Sequence, residues 1–192
     1  MTAMADPYFE RFRHVRERLK NVGYKFNFEG LQHPRFAFPN KDLTGANFSR
    51  SSLFGADFSG CDLTGASFAM AKLVRCDFSG AILDRVDFSE ADLTGALLKG
   101  ATLYAANFER ADLTSANLKE ASVDSVIWTD AVLKGARFLG VDLRREDSLQ
   151  GWQLLEARGL DRKLMPNWLY EDFQSAKKRV DAAMNKPPLQ FE

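Results

Sequence analysis

The 192-residue chain has only two cysteines, Cys61 and Cys76, and only two histidines, His14 and His33. Two thiols cannot frame a disulfide-stapled fold or a thiolate metal site. Imidazole catalysis has two candidates, neither inside a recognisable motif. No apolar run approaches the ~20 residues of a membrane span, and the opening MTAMADPYFERFRH has no signal-peptide core. A cytoplasmic protein with no membrane association is expected. Charge of one sign is lacking too: 26 Lys and Arg face 26 Asp and Glu, so the global balance gives no pull toward nucleic acid, membrane or acidic substrate. Only residues 1–40 lean basic, with 7 cations to 4 carboxylates; residues 41–145 carry 12 and 14, and residues 146–192 carry 7 and 8. P-loop, dinucleotide fingerprint, nucleophile–base pair and metal-ligand cluster are all missing, so no cofactor is expected and the chain reads as a non-enzyme.

What is present is a repeat. From residue 41 to 145 the chain divides into 21 unbroken blocks of five, among them KDLTG, ANFSR, SSLFG, ADFSG and CDLTG. The third position is always apolar: twelve leucines, seven phenylalanines, Val123 and Trp128. At 45% hydrophobic residues, chance agreement is on the order of 10⁻⁷ or less. Alanine fills the first position in fourteen blocks; Ser51, Cys61, Cys76, Val86, Val126 and Val141 are small variants, and Lys41 is the exception. The other positions are mostly Asp, Asn, Ser, Thr, Lys, Arg and Gly.

A period of five drifts off one face of a 3.6-residue helix and alternates faces of a two-residue strand, so neither element can use it. A chain that turns a corner every five residues can, and four corners close a coil of twenty with positions one and three inward. Tight corners call for residues that tolerate the left-handed conformation or bond to their own backbone. Residues twenty apart must then stack. Positions 48, 68, 88, 108 and 128 are Phe, Phe, Phe, Phe and Trp; positions 53, 73, 93, 113 and 133 are all Leu. The expected fold is an all-β solenoid, a quadrilateral β-helix of about five coils and ~25 Å height at ~4.8 Å per coil. The aspartates at the second position, Asp42, Asp57, Asp62, Asp77, Asp87, Asp92 and Asp112, are read as corner residues rather than a calcium ladder. Cys61 and Cys76 sit at the alanine position and are read as core thiols.

An open stack has two ends that need covers. Residues 1–40 are expected to hold an N-terminal helix, from Asp6 and Pro7 through Tyr8, Phe12, Val15 and Leu19 to Gly23, then a degenerate first coil with Phe28 and Phe38 in the columns of Phe48 and Phe58. Phe26 and Phe36 would plug that end. After residues 41–145, the segment 146–192 is expected to be a helical cap or dimerisation segment. SLQGWQLLEARGL reads as a short helix, and a second starts at Pro166 with a stripe of Leu169, Phe173, Ala176, Val180 and Met184. Trp152, Leu155, Trp168, Leu169 and Phe173 are the candidates for packing on the last coil or on a second subunit.

Blocks such as ADLTG, ANFSR, ADFSG and ANLKE resemble the A(D/N)LXX units of the pentapeptide-repeat family, over residues 41–145. The resemblance implies a right-handed quadrilateral β-helix. It also implies a protein-binding function: well-characterised members protect bacterial type II topoisomerases, DNA gyrase or topoisomerase IV, by mimicking DNA, which confers antibiotic resistance, and several form homodimers through a C-terminal helix. The near-neutral repeats depart from that pattern, since a DNA mimic presents a markedly negative face.

The alternative is a scaffold or regulatory protein that binds another protein through outward positions breaking the polar rule. Phe54 and Val74 share a column, with Met70 at the neighbouring corner; Ile82, Leu97 and Tyr104 form a second candidate set. Ile127 and Val132 are expected to be covered by the C-terminal helices. The basic residues Arg11, Arg13, Arg16, Arg18 and Lys20 are spread round their helix, which reads as a solvated face, and direct nucleic-acid binding is not expected.

Overall fold

The computed structural model describes residues 26–184. The expected N-terminal helix lies outside them. From Gly30 to Gly140 every fifth residue has φ between 53° and 76°, so the chain turns at each block boundary. Glycine takes this conformation freely, but Arg50, Met70, Arg75, Glu90 and others adopt it too, at ~1–2 kcal/mol each. Backbone pairing offsets that cost. Arg50 N donates to Ala69 O at 2.9 Å and Met70 N to Ser89 O at 2.8 Å, each bond tying one coil to the next.

The repeat follows from an accounting of backbone N–H groups, which must all find partners where water is excluded. In the block Ala46–Arg50, Phe48 N donates to Ser67 O and Arg50 N to Ala69 O in the following coil. Asn47 N donates to Phe26 O in the preceding coil, while Ala46 N closes the corner on Leu43 O. Only the fourth N–H, that of Ser49, is left over, and the Asn47 side chain accepts it at 3.0 Å. The same bond recurs where Ser59 N donates to Asp57 Oδ1, Thr64 N to Asp62, Ser79 N to Asp77, Ser89 N to Asp87, Thr94 N to Asp92 and Thr114 N to Asp112, at 2.8–3.0 Å. A short side chain with an acceptor is therefore wanted at position two, and the aspartates are corner residues, as the periodicity suggests.

Parallel bridges join residues twenty apart, from Asn27↔Asn47 through Asn47↔Ser67 and Ser67↔Asp87 to Asn117↔Arg137. Four five-residue segments therefore separate each residue from the one stacked on it. Pairing extends over three residues in only one place, where β1 (Thr102–Tyr104) runs parallel to β2 (Ser122–Asp124). The chain forms a β-helix solenoid.

First- and third-position side chains fill the interior. Phe28, Phe48, Phe68, Phe88, Phe108 and Trp128 make one continuous stack with ring centroids 4.7–5.2 Å apart. Phe38, Phe58 and Phe78 make a second stack and meet the first edge-on, as in the 5.4 Å Phe58–Phe68 contact at 82°. The degenerate first coil is present, since Asn27, Gln32 and Ala37 bridge to Asn47, Ser52 and Asp57. Phe36 is buried and Phe26 half-buried, both beside the end of the stacks.

The other end differs from expectation. The segment read as a short helix contains only a four-residue 3-10 turn, Gly151–Leu154, and continues as an irregular coil. Gly135 N donates to Glu156 O, Phe138 N to Arg158 O and Leu143 N to Leu164 O, and the bridge Arg137↔Arg158 spans 21 residues instead of 20. The open edge of the last regular coil draws the following chain into pairing, which outweighs its helical spacing. Helix α1, Asn167–Met184, then begins after Pro166 and packs against the 3-10 turn.

Candidate functional site

The interior offers no reactive group to solvent. Cys61 and Cys76 are buried at the alanine position and donate to Phe38 O and Leu53 O. Burial pushes the Cys61 thiol up to about 11 and the Cys76 thiol up to about 12, so both stay protonated near neutrality. His33 lies edge-on to Phe36 at 4.7 Å; His14 lies outside the described residues. Among the described residues there is no cluster of three or more His, Cys, Asp or Glu placed to hold a metal ion. None of the described helices is long and apolar enough to cross a membrane.

The outward positions carry the candidate surface. Phe54 and Val74 stack in one column, because Gly55 N donates to Val74 O at 2.9 Å, and Met70 stands at the corner preceding the Val74 segment. Phe54 is 42% and Met70 50% exposed, while Val74 is half-buried. Ile82 and Tyr104 share another face: Ile82 bridges to Thr102, and Tyr104 N donates to Asp84 Oδ1. Leu97, 40% exposed, lies one corner away, between Asp77 and Asn117.

Ile127 and Val132 remain exposed, contrary to the expected cover. Helix α1 meets the 3-10 turn at the end of the solenoid, which leaves these side chains uncovered among the described residues. Ile82, Leu97, Ile127 and Val132 all occupy the second position, where Asp or Asn elsewhere holds the fourth N–H. The N–H groups of Asp84, Lys99, Thr129 and Lys134 accordingly have no protein acceptor among the described residues. Each apolar choice forgoes a bond of about 1 kcal/mol.

At the C-terminal end, leucines rather than tryptophans do the covering. Leu149, Leu154 and Leu169 are at most 1% exposed, and Phe173 packs against the core. Leu155 is intermediate, whereas Trp152 and Trp168 keep about half their surface in solvent. Three polar residues without a sequence signature satisfy the last regular coil. Gln153 Nε2 donates to Trp128 O and Ala131 O, and Ser148 Oγ accepts from Trp128 N and donates to Val126 O. Glu146 Oε2 accepts the Trp128 indole N–H at 2.6 Å. Burial raises the Glu146 carboxyl to about 7, with Asp124 and Asp147 adding to the rise and the Trp128 and Val126 donors opposing it.

Two family models match the chain: a pentapeptide repeat region over residues 34–108 and pentapeptide repeats over residues 111–145. No curated protein matches. Similar solved structures include HetL, a pentapeptide repeat protein involved in heterocyst differentiation regulation in the cyanobacterium Nostoc sp. strain PCC 7120, at 32% identity over 68% of this chain and TM-score 0.44. The match covers 52% of HetL, so this chain spans about half of that protein. A pentapeptide repeat protein of the Arabidopsis thaliana thylakoid lumen matches at 30% identity over 65% of this chain and 73% of its own, TM-score 0.31. QnrB1, a plasmid-mediated fluoroquinolone resistance protein, matches at 19% identity over 78% of this chain and 99% of its own, TM-score 0.29. With the periodic interior and the corner bonds in place, the two family models identify the chain as a member of the pentapeptide-repeat family.

Proposed function

We propose that the chain is a non-enzymatic cytoplasmic protein-interaction module: a right-handed quadrilateral coil whose faces hold fixed columns of side chains toward a protein partner. One observation carries this reading. Large apolar residues stand exposed on an otherwise polar solenoid, and at Ile82 and Leu97 they replace the residue that would complete the corner. Exposed apolar groups on a well-packed scaffold mark contact sites when they cluster, as Phe54, Met70 and Val74 do. A benzophenone-bearing amino acid at position 54, or at position 94 in the same column, tests it in cells of the source organism. Protein adducts from position 54 and none from 94 are expected; no adduct from 54 removes the reading.

Topoisomerase protection by DNA mimicry is the narrower form of the proposal. The most acidic face carries Glu29, Asp87, Glu90, Glu109 and Asp130 but also Arg50 and Arg110, and the Asp87 carboxylate is already bonded to Ser89 N. A gyrase supercoiling assay with and without a quinolone decides it: neither inhibition nor rescue at micromolar protein excludes that form. The half-exposed Trp152 and Trp168 support a homodimer through the C-terminal end, which light scattering of wild type against Trp168→Ala would test.

A further inference from the structure

The face around Phe54 has a charge pattern that the apolar residues alone do not reveal. Its column reads Pro34, Phe54 and Val74, held in register by Arg35 N donating to Phe54 O and Gly55 N to Val74 O. The three segments 30–35, 50–55 and 70–75 contain Arg35, Arg50, Lys72 and Arg75, and not one Asp or Glu. Arg50 reaches Glu29 at 3.6 Å, an exposed pair of little strength. Arg35, Lys72 and Arg75 have no ion pair among the described residues. The arginine stems lie over the corners of the following coil: a Cβ at Gly55 would lie 3.8 Å from Arg35 Cγ, and one at Gly95 3.6 Å from Arg75 Cγ, both in ordinary contact. One coil further the sign reverses, with Glu90 and Asp92 in residues 90–95, and in residues 110–115 Arg110 and Asp112 balance. The basic, apolar area is thus limited to three coils, a height of ~10 Å.

We propose that this face docks a short acidic segment of a partner protein carrying large apolar side chains between its carboxylates. The apolar groups cover Phe54, Met70 and Val74, and the carboxylates meet Arg35, Lys72 and Arg75. This rests on the interaction-module reading and adds the chemistry of the partner. A nucleic acid fits less well. Its phosphates would run from the cations onto Glu29 at one corner and Glu90 and Asp92 above. The chain's own N-terminal segment is a poor occupant as well, because residues 1–25 carry Arg11, Arg13, Arg16, Arg18, Lys20 and Lys25 against Asp6, Glu10 and Glu17.

Fluorescence anisotropy of the full chain with labelled probes tests the proposal. The probes are a peptide alternating glutamate and phenylalanine, one alternating glutamate and serine, one alternating lysine and phenylalanine, and oligothymidylate. The glutamate–phenylalanine peptide is expected to bind best. Phe54→Asp and Arg75→Glu should each weaken it at least about tenfold, while Lys99→Glu, on another face, stays within about twofold. Circular dichroism melts establish that each variant is folded. Equal or tighter binding of the lysine peptide or the oligonucleotide overturns the proposal, as does insensitivity to Phe54→Asp and Arg75→Glu, or no saturable binding of any probe up to ~1 mM. Protein adducts from position 54 together with failure of the acidic peptide would leave the module standing with the wrong partner chemistry. Absence of adducts removes both.

Discussion

Truncation of Phe88 puts the interior stack to its sharpest test. The ring is fully buried, stacked on Phe68 at 5.2 Å and on Phe108 at 5.1 Å, and edge-on to Phe78 at 5.5 Å. Phe88→Ala removes the transfer energy of the ring and leaves a cavity, which costs ~3–5 kcal/mol at a site that cannot collapse. Bonded coils on both sides hold this site open, and two stacked pairs are lost besides, at ~0.5–1.5 kcal/mol each, so the upper end of the range is expected. Phe88→Leu also loses both stacked pairs but should cost less than Phe88→Ala, because leucine fills most of the cavity and already occupies third positions such as Leu98 and Leu118. Phe28→Ala should also cost less, since Phe28 is only half-buried. Urea unfolding followed by far-UV circular dichroism orders the three. Each coil rests only on its neighbours, so Phe88→Ala is also the variant that splits one transition into two. A loss below ~1 kcal/mol for Phe88→Ala, or a larger loss for Phe28→Ala, would refute the interior assignment.

Ala91→Leu should overpack its layer and cost ~1–3 kcal/mol in the same assay, although it adds apolar surface. Glu146 binds its proton more tightly folded, near pH 7, than its ordinary value of 4.5, so its stabilising contribution is present below pH 4.5 and is lost as pH rises through 7. The loss is at most about 3 kcal/mol, and Glu146→Gln should flatten that part of a stability–pH profile; an unchanged profile assigns the dependence elsewhere. In Gly151→Ala the new Cβ would strike the Phe173 amide and Asp172 carbonyl carbon of α1, so hydrogen exchange in α1 should accelerate while exchange around Phe68 does not change.

The interior was legible because its rule is arithmetic. A five-residue period selects inward positions and a twenty-residue identity selects columns, which was enough to place Phe28 and Phe38 beneath Phe48 and Phe58 before the regular blocks begin. The C-terminal end was not legible for the same reason. Leu149, Trp152 and Leu155 have helical spacing, but what decides their conformation is the bonding deficit of the coil before them, met by Glu156, Arg158 and Leu164 carbonyls and by Ser148 and Gln153 side chains. No local pattern records a 21-residue register or a buried glutamate beneath a tryptophan. Exposed apolar positions could be read off the repeat, whereas their surroundings could not. Arg35, Lys72 and Arg75 become neighbours of Phe54 only once the coil is closed, and Ile127 and Val132 stand exposed because α1 packs on the 3-10 turn at the end of the solenoid.

The division of labour within each block bears on function. Positions one and three are fixed by packing, position two by one unsatisfied N–H and position five by its left-handed turn, which leaves position four free to vary at little cost to the fold. An apolar residue at position four, such as Phe54, thus tells less about constraint than one at position two, where Ile82 and Leu97 displace a bond that other blocks make. Local rules fail most tellingly where another demand overrides them. The two kinds of site therefore call for separate experiments. If Phe54 and its cations hold a partner while Leu97→Asn neither weakens that contact nor alters association between copies, the second-position residues serve a different face and a different occupant.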